Sequence, residues 1–398
     1  MSVINIKYNP YLRVGVVYYK KIKKPLISGD SLETISKWSK QEIITDEGDS
    51  FLKKVPKYDG FCTVPSHINY KPVIDQFYNE YKAVRHNYEK GEYLKTEAFL
   101  KHLFGDQYIL FLDYLTILWQ RPIQILPILC LVSTERKTGK TTLLYWLKLI
   151  FQANMTTNTN EDFRSRFNSD WVSKLIIAID EVLLDKREDS ERIKNLSTTK
   201  NYKVESKGKD KVEGEFFGKF ILCSNNEDSF IKIDNNEIRY WVVKVSSISE
   251  ENPNLLNELK KELPNFMGFI NSRKIVSPNK TRMWFTKEQI YTPALKKLMK
   301  GNMSSVASEI ECVLKEAFIK FEVEELKYTI SDIVEFLLYS NITTTKTYVS
   351  KLLKDYFNLG NTNGSYTKFV INTSNSAIEQ VNSKGRYFTF KKSDFDDD

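Results

Sequence analysis

Ile128-Leu129-Cys130-Leu131-Val132-Ser133-Thr134-Glu135-Arg136-Lys137-Thr138-Gly139-Lys140-Thr141-Thr142 is the stretch on which the fold of this chain turns. Its first five residues are continuously apolar, as in a short strand buried on both faces. Thr134 to Thr141 then fills the frame of a phosphate-binding loop, G-x-x-x-x-G-K-[ST], and an amphipathic helix follows from Thr141 to Phe151. That order is what the chemistry needs. Backbone N–H groups of the loop and of the helix N-terminus point at a phosphate. Gly139 has no Cβ, so the chain can approach the phosphate closely. Lys140 supplies charge to the β and γ oxygens, and the Thr141 hydroxyl is placed to ligate Mg²⁺. Thr138 and Thr142 complete the candidate contact set. Thr134 stands where the frame has its first glycine, so the loop has to start without a residue that takes positive φ freely.

Taken alone, Gly139-Lys140-Thr141 also fits an ordinary helix N-terminus, and the case rests on what surrounds it. Downstream, the apolar run from Lys174 ends in Asp180-Glu181. Asp180 is the candidate to hold the metal and Glu181 to polarise an attacking water. A third apolar run, from Lys219, ends in Asn225-Asn226. One of those amides is positioned to touch the γ-phosphate or orient the water, and the pattern leaves open which. Arg239 then precedes the apolar Tyr240-Trp241-Val242-Val243. Each piece has an ordinary reading: acids closing a strand, an amide in a turn, a surface arginine. Their order on buried strands that alternate with helices specifies a parallel α/β sheet and an ATPase using ATP and Mg²⁺.

The flanks read as separate units, and 398 residues allow two or three domains. Residues 1–95 form a mixed segment, with a strand over Leu12–Tyr19 and a short helix opening at Ser31-Leu32-Glu33-Thr34-Ile35. Residues 71–126 read as helical, those from 96 being the flank of an ATPase core over 127–275. Residues 253 to about 320 read as helical, with Pro253, Pro264, Pro278 and Pro293 expected as breaks, and 276–322 form a helical linker. Residues 323–393 carry helices at Thr329–Tyr339 and Thr343–Lys354 and strands at Thr367–Ile371 and Arg386–Phe390, the order of a winged helix. Residues 394–398 are an acidic tail.

Composition removes other chemistries. The three histidines, His67, His86 and His102, sit in no nucleophile or metal motif, which argues against a Ser-His-Asp hydrolase or a His-ligated metalloenzyme. Cys62, Cys130, Cys223 and Cys312 lie far apart, so neither a zinc site nor a disulfide scaffold is expected, and a reducing, cytoplasmic compartment fits. The apolar region Tyr108–Val132 is interrupted by Asp113, Gln120, Arg121, Pro122, Gln124 and Pro127, so no membrane span is expected there, and the first thirty residues carry no apolar signal core. A net charge of +8 permits a polyanionic partner. Lysines cluster in two places. Lys194, Lys200, Lys203, Lys207, Lys209 and Lys211 surround a hairpin tip at Ser206–Asp210. Lys346, Tyr348, Lys351 and Lys354 lie on the second helix of the C-terminal unit, with Lys368 and Arg386 on its hairpin. Both groups are candidates to neutralise phosphates.

With these motifs in place, the chain resembles a superfamily 3 helicase of the AAA+ class, and is most similar to the helicase part of phage and plasmid primase-helicases. The marks are Leu112-Asp113-Tyr114-Leu115 with Pro122, Gly139-Lys140-Thr141-Thr142, Phe167-Asn168, Ile179-Asp180-Glu181, Cys223-Ser224-Asn225-Asn226 and Ile238-Arg239-Tyr240-Trp241, over residues 95–275. The resemblance implies that Lys140 and Thr141 are the Walker A residues and Asp180 and Glu181 the Walker B pair. It implies that Asn225, with Asn226 its close rival, is the sensor. It further implies that Arg239 reaches a neighbouring subunit's nucleotide in a hexameric ring, and that the Lys207/Lys209 hairpin grips single-stranded DNA. Replication of a phage, plasmid or mobile element in the host cytoplasm is then expected, with a separate primase or polymerase as a candidate partner; residues 1–70 show no paired Asp-x-Asp on a strand of the kind a polymerase or primase metal site uses. Two rival readings stand beside it. One is an origin-binding initiator or loader that binds duplex DNA. The other is a DNA-binding protein whose phosphate loop has decayed at Thr134.

Overall fold

The computed structural model describes residues 9–25, 31–205, 210–234, 237–248, 251–302, 304–371 and 378–395. The chain divides into two compact units, Met1–Lys232 with Ile238–Lys296, and Ile233–Glu237 with Lys297–Asp398. No helix among the described residues is long and apolar enough to cross a membrane.

The first unit begins with a lysine-rich antiparallel sheet. β1 (Tyr11–Val14) turns at Gly15, φ 57°, into β2 (Val17–Pro25), so the single strand expected over Leu12–Tyr19 is a hairpin. β3 (Ser31–Trp38) pairs along β2, from Trp38 opposite Tyr18 to Ser31 opposite Pro25. The helix expected at Ser31–Ile35 is therefore a strand: a long pairing partner, invisible in a local window, outweighs the capping pattern. α1 (Lys40–Glu47) closes a small core of Tyr11, Ile43 and Val55, and β4 (Lys57–Tyr58) joins parallel to β1. A second small sheet follows, of β5 (Gly60–Cys62), β6 (Val73–Ile74) and β7 (Phe77–Asn79).

Residues 71–93 are not helical, contrary to the sequence expectation; helix begins only at α2 (Leu94–Phe104) and α3 (Tyr108–Gln120). The extended segment meets its backbone hydrogen-bonding needs from outside itself. Lys82 N–H donates to Asn154 Oδ1 at 3.0 Å, Asn154 Nδ2 to the Lys82 carbonyl at 2.8 Å, and Glu89 N–H to the Pro264 carbonyl at 3.1 Å.

The core of this unit is a five-stranded parallel sheet. β8 (Ile128–Val132) leads to α4 (Lys140–Phe151), β9 (Met155–Asn158) to α5 (Asn160–Arg164), and β10 (Ile176–Ile179) to α6 (Arg187–Thr198). A two-stranded hairpin, β11 (Asn201–Val204) and β12 (Val212–Glu215), interrupts the pattern before β13 (Lys219–Ser224) and β14 (Tyr240–Lys244). The sheet order is β14-β8-β13-β10-β9. Every residue of β8, β10 and β13 is buried, which is why their sequences are continuous rather than alternating. α7 (Leu255–Ser272) packs back against α2, α3 and α4, burying Leu259, Leu263, Phe266, Met267 and Ile270. Pro264 lies inside this helix and does not break it. A mid-helix proline costs about 3 kcal/mol, and five buried apolar side chains at helical spacing outweigh that. Arg273, just past α7, pairs with the buried carboxylate of Asp113 on α3, which also accepts from Val276 N–H (3.0 Å) and Ser277 N–H (2.7 Å). Burial pushes the Asp113 pKa up, but these hydrogen bonds prevail and hold it below the usual carboxylate value. α8 (Lys287–Ile290) follows, and α9 (Pro293–Gly301) crosses the division between the units.

In the second unit, α10 (Ser305–Phe321) leads to β15 (Glu325–Tyr328). α11 (Ile330–Tyr339) starts on a Thr329–Asp332 capping box, and α12 (Lys346–Lys351) continues as a π-helical turn over Leu352–Tyr356. β16 (Asn361–Ile371) and β17 (Ile378–Lys391) form a long hairpin, with β15 antiparallel on the other side of β17. Leu314, Phe318, Leu326, Ile333, Leu337, Val349, Leu353, Phe388 and Phe390 make its core. Both helices and both strands expected here are present; β15 was not anticipated, and the strands are longer than their apolar segments.

Candidate functional site

The C-terminal ends of β8, β10 and β13 converge on one cavity of about 410 Å³, lined by Arg136–Thr142, Asp180, Glu181, Cys223, Ser224 and Asn225. Loops at the carboxyl ends of parallel strands are where open α/β sheets bind ligands. Gly139 is in the left-handed region, φ 93°, immediately before α4. A Cβ there would also lie 3.0 Å from the Phe99 ring, so both conformation and packing ask for glycine. Lys137 carries the loop's other positive φ, 58°.

Lys140 opens α4 and is only 6% exposed. Its ammonium donates to Ser133 Oγ, to Thr138 Oγ1 at 3.2 Å and to Asn225 Oδ1 at 3.0 Å. Burial lowers its pKa, while Cys223, Asp180 and Glu227 pull the other way. The cation is thus desolvated and held only by neutral oxygens, which leaves its charge available to an anion. Thr141 Oγ1 donates to Asp180 Oδ2 at 2.8 Å. A hydroxyl beside a carboxylate is a pair of hard oxygen donors, and Mg²⁺ completes its shell with phosphate and water. Among the described residues no group of three or more His, Cys, Asp or Glu could hold a metal ion, so this two-residue site fits Mg²⁺ only together with a phosphorylated ligand.

Glu181 follows Asp180 at φ 54°. Asn160, at the start of α5, clamps this turn: its Nδ2 donates to the Glu181 carbonyl at 3.3 Å and its Oδ1 accepts from Leu183 N–H at 3.0 Å. The two amides after β13 have different surroundings. Asn225 faces Lys140, whereas Asn226 Oδ1 accepts from the N–H groups of Asp228 and Ser229, both at 2.9 Å, and shapes the turn.

Other sequence candidates lie elsewhere. Arg239 is outside the cavity wall, at the start of β14, where its carbonyl accepts from Ile128 N–H at 2.8 Å. That is the end of the sheet opposite the phosphate loop. Lys194 is on α6, 4% exposed, with Nζ 2.6 Å from Glu191. Lys207 and Lys209 lie outside the described residues. The strands on either side of them pair antiparallel, Val204 opposite Val212. Lys346 and Lys351 are exposed on α12, while Lys368 is engaged by Asp332.

Several residues to which the sequence assigned no role support the site and the hairpin. Ser133 bonds Lys140, and His102 Nε2 lies 3.2 Å from the Thr138 carbonyl. Buried Asn168 laces the base of the hairpin by accepting from Glu205 N–H at 2.8 Å and donating to the Lys203 carbonyl at 3.1 Å. A second cavity, about 890 Å³, adjoins the first through Lys137, Gly139 and Thr142. It runs between α2 and the segment before and into α7, with Phe99, Tyr145, Ile248, Leu255 and Leu256 on its walls.

A protein family described as of unknown function (DUF5906) matches residues 131–239, from within β8 to Arg239. No curated protein matches the chain. Among solved structures, the apo structure of the NrS-1 C terminal region (305-718) is similar at 16% identity and a TM-score of 0.63, covering 95% of each chain. The A form apo structure of the same region gives 16% identity and a TM-score of 0.62, covering 96% of each chain. These likenesses establish a shared fold over nearly the whole length. A JCV helicase bound to a small molecule is similar only at 11% identity and a TM-score of 0.31, over 56% of this chain and 65% of that one, too distant to carry an argument.

Proposed function

We propose that this protein is an ATP-driven DNA helicase of the superfamily 3 type, working as a ring in the replication of a phage, plasmid or mobile element. The observation that carries the reading is the convergence of Lys140, Asn225, the Thr141–Asp180 pair and Glu181 on one cavity at the strand ends. In this reading the triphosphate lies along residues 136–142, and the nucleoside takes the adjoining, more apolar cavity. Lys140 meets the β and γ oxygens and Asn225 fixes the lysine. Mg²⁺ beside Thr141 and Asp180 would offset phosphate charge. Glu181 orients the attacking water, and Arg239 serves the nucleotide of a neighbouring subunit, most simply in a hexamer. Its place away from its own chain's cavity is compatible with that role.

Residues 127–275 are then the motor core, and the β11–β12 hairpin with Lys207 and Lys209 follows single-stranded DNA. The order helix, strand, helix, helix, hairpin of the second unit supports a winged helix, whose α12 offers Lys346 and Lys351 to DNA phosphates. The exposed Lys346, Tyr348 and Lys351 on one short helix also favour a second reading, an initiator that binds duplex DNA. The deciding experiment compares ATP hydrolysis by wild type and Lys140→Ala, with and without single-stranded DNA, followed by a strand-displacement assay. Turnover that DNA stimulates and Lys140→Ala abolishes, with strand displacement, is the expected result. Turnover with duplex binding but no displacement supports the initiator, and no turnover with any DNA sinks both.

A further inference from the structure

The phosphate loop of this chain has Thr134 at its first glycine position, and the structure contains a different device at that point. Thr134 itself is not in the left-handed region; the positive φ values of the loop fall on Lys137 and Gly139. Its N–H donates to Glu227 Oε1 at 3.2 Å. Glu227 lies in the turn after β13, two residues past Asn225, and is 2% exposed. Lys244, the last residue of β14, places Nζ 3.2 Å from one carboxylate oxygen and 3.3 Å from the other. β13, β8 and β14 are neighbours, with Ser224 and Lys244 both in register with Val132. One buried carboxylate therefore spans the ends of three adjacent strands, at the level where the loop leaves β8.

An acid this close to a phosphate site repels the ligand, and a buried carboxylate persists only when it is paired and hydrogen-bonded. Lys244 pairs with it, and its Oε1 accepts from the backbone of the loop at Thr134. We propose that Glu227 is a positioning residue for the phosphate loop, anchoring the Thr134 N–H so that the loop leaves β8 in a fixed direction without a glycine. Lys244 holds the Glu227 carboxylate in place. Because Asn225 is on the same turn, the anchor also sets the distance between Asn225 and Lys140. This inference rests on the nucleotide-site reading above.

The test is a titration of the full chain with a fluorescent ATP analogue and Mg²⁺, together with steady-state hydrolysis. Wild type, Lys140→Ala, Glu227→Ala and Glu227→Gln are compared, with melting temperatures measured in parallel. Glu227→Ala should raise both the Kd and KM about tenfold or more while kcat stays within about threefold, the signature of lost ligand positioning. Glu227→Gln keeps an acceptor for the Thr134 N–H and should return KM to within about threefold of wild type. Thr134→Pro removes that N–H and should match Glu227→Ala, the double variant being no worse than either single one. A lower melting temperature with unchanged Kd and KM would mean that Glu227 serves stability alone and would overturn the proposal. So would equal losses in Glu227→Gln and Glu227→Ala. If wild type binds the analogue and Lys140→Ala does not, while Glu227→Ala binds like wild type, this inference falls and the nucleotide site stands. If wild type binds no nucleotide, both fall.

Discussion

Asn225 and Asn226 are adjacent, chemically identical and both after the same strand, yet the structure assigns them different work, and the difference is measurable. Asn225 Oδ1 is one of three oxygens on the Lys140 ammonium, at 3.0 Å in a site where that lysine is only 6% exposed. A hydrogen bond to a charged group in such a place is worth about 1.5–3 kcal/mol. On the proposed ATPase reading, and at about 1.4 kcal/mol per tenfold, Asn225→Ala should lower kcat/KM for ATP by about 10- to 150-fold. Asn226 Oδ1 accepts from two exposed backbone N–H groups, those of Asp228 and Ser229. Asn226→Ala gives those donors to water, so it should cost about 1 kcal/mol of stability, or about 2–4 °C in Tm. Its turnover should stay within about threefold of wild type. The assay is steady-state hydrolysis with excess Mg²⁺ beside thermal melts of both variants. Collapse of turnover in Asn226→Ala with Asn225→Ala near wild type would refute the assignment, and equal loss in both would refute the claim that only one amide faces the lysine.

Two further outcomes follow from packing and charge. Gly268→Ala on α7 would put a Cβ 2.1 Å from the Glu89 carbonyl oxygen, a backbone atom that cannot swing aside. A loss of about 1–3 kcal/mol in urea unfolding is expected, and an unchanged midpoint would contradict the packing of residues 81–93 on α7. His67 is buried, stacked on Trp119, with Nδ1 2.9 Å from the Trp119 carbonyl and Nε2 2.7 Å from the Tyr81 hydroxyl. Burial lowers its pKa to about 4, against a carbonyl hydrogen bond that opposes the shift. The unfolded chain therefore takes up this proton first as pH falls. Stability is full above the unfolded value near 6.5 and is lost towards pH 4, by up to about 3 kcal/mol. Urea midpoints at pH 7.5 and pH 5 should show the loss, and His67→Phe should reduce it; a midpoint independent of pH would show that His67 is not held neutral.

What the sequence discloses depends on whether both halves of an interaction fall within one window. The loop from Thr134 to Thr142 was legible because its chemistry is local: glycine conformation, a helix N-terminus, a lysine and a hydroxyl in fixed succession. β8, β10 and β13 were legible because strands buried on both faces must be apolar throughout. β9 was not, since Met155-Thr156-Thr157-Asn158 lies at the sheet edge and buries only its first and last residues. β3 carries a cap-like Ser31 and a charged Glu33, and only its pairing with β2 makes it a strand. Residues 71–93 mix charged and aromatic groups as a helix would, but Asn154 and Pro264 supply their hydrogen-bond partners. The same holds within the candidate site. Asp180 and Glu181 announce themselves at the end of an apolar run, whereas Glu227 meets Thr134 across 93 residues and Lys244 across 17. Asn160 reaches Glu181 and Leu183 only because β9 and β10 are neighbours in the sheet. The groups expected to contact a ligand are written in runs a few residues long at the ends of apolar strands. The groups that hold those runs in place are set by strand order, which is decided when distant apolar segments pack against one another.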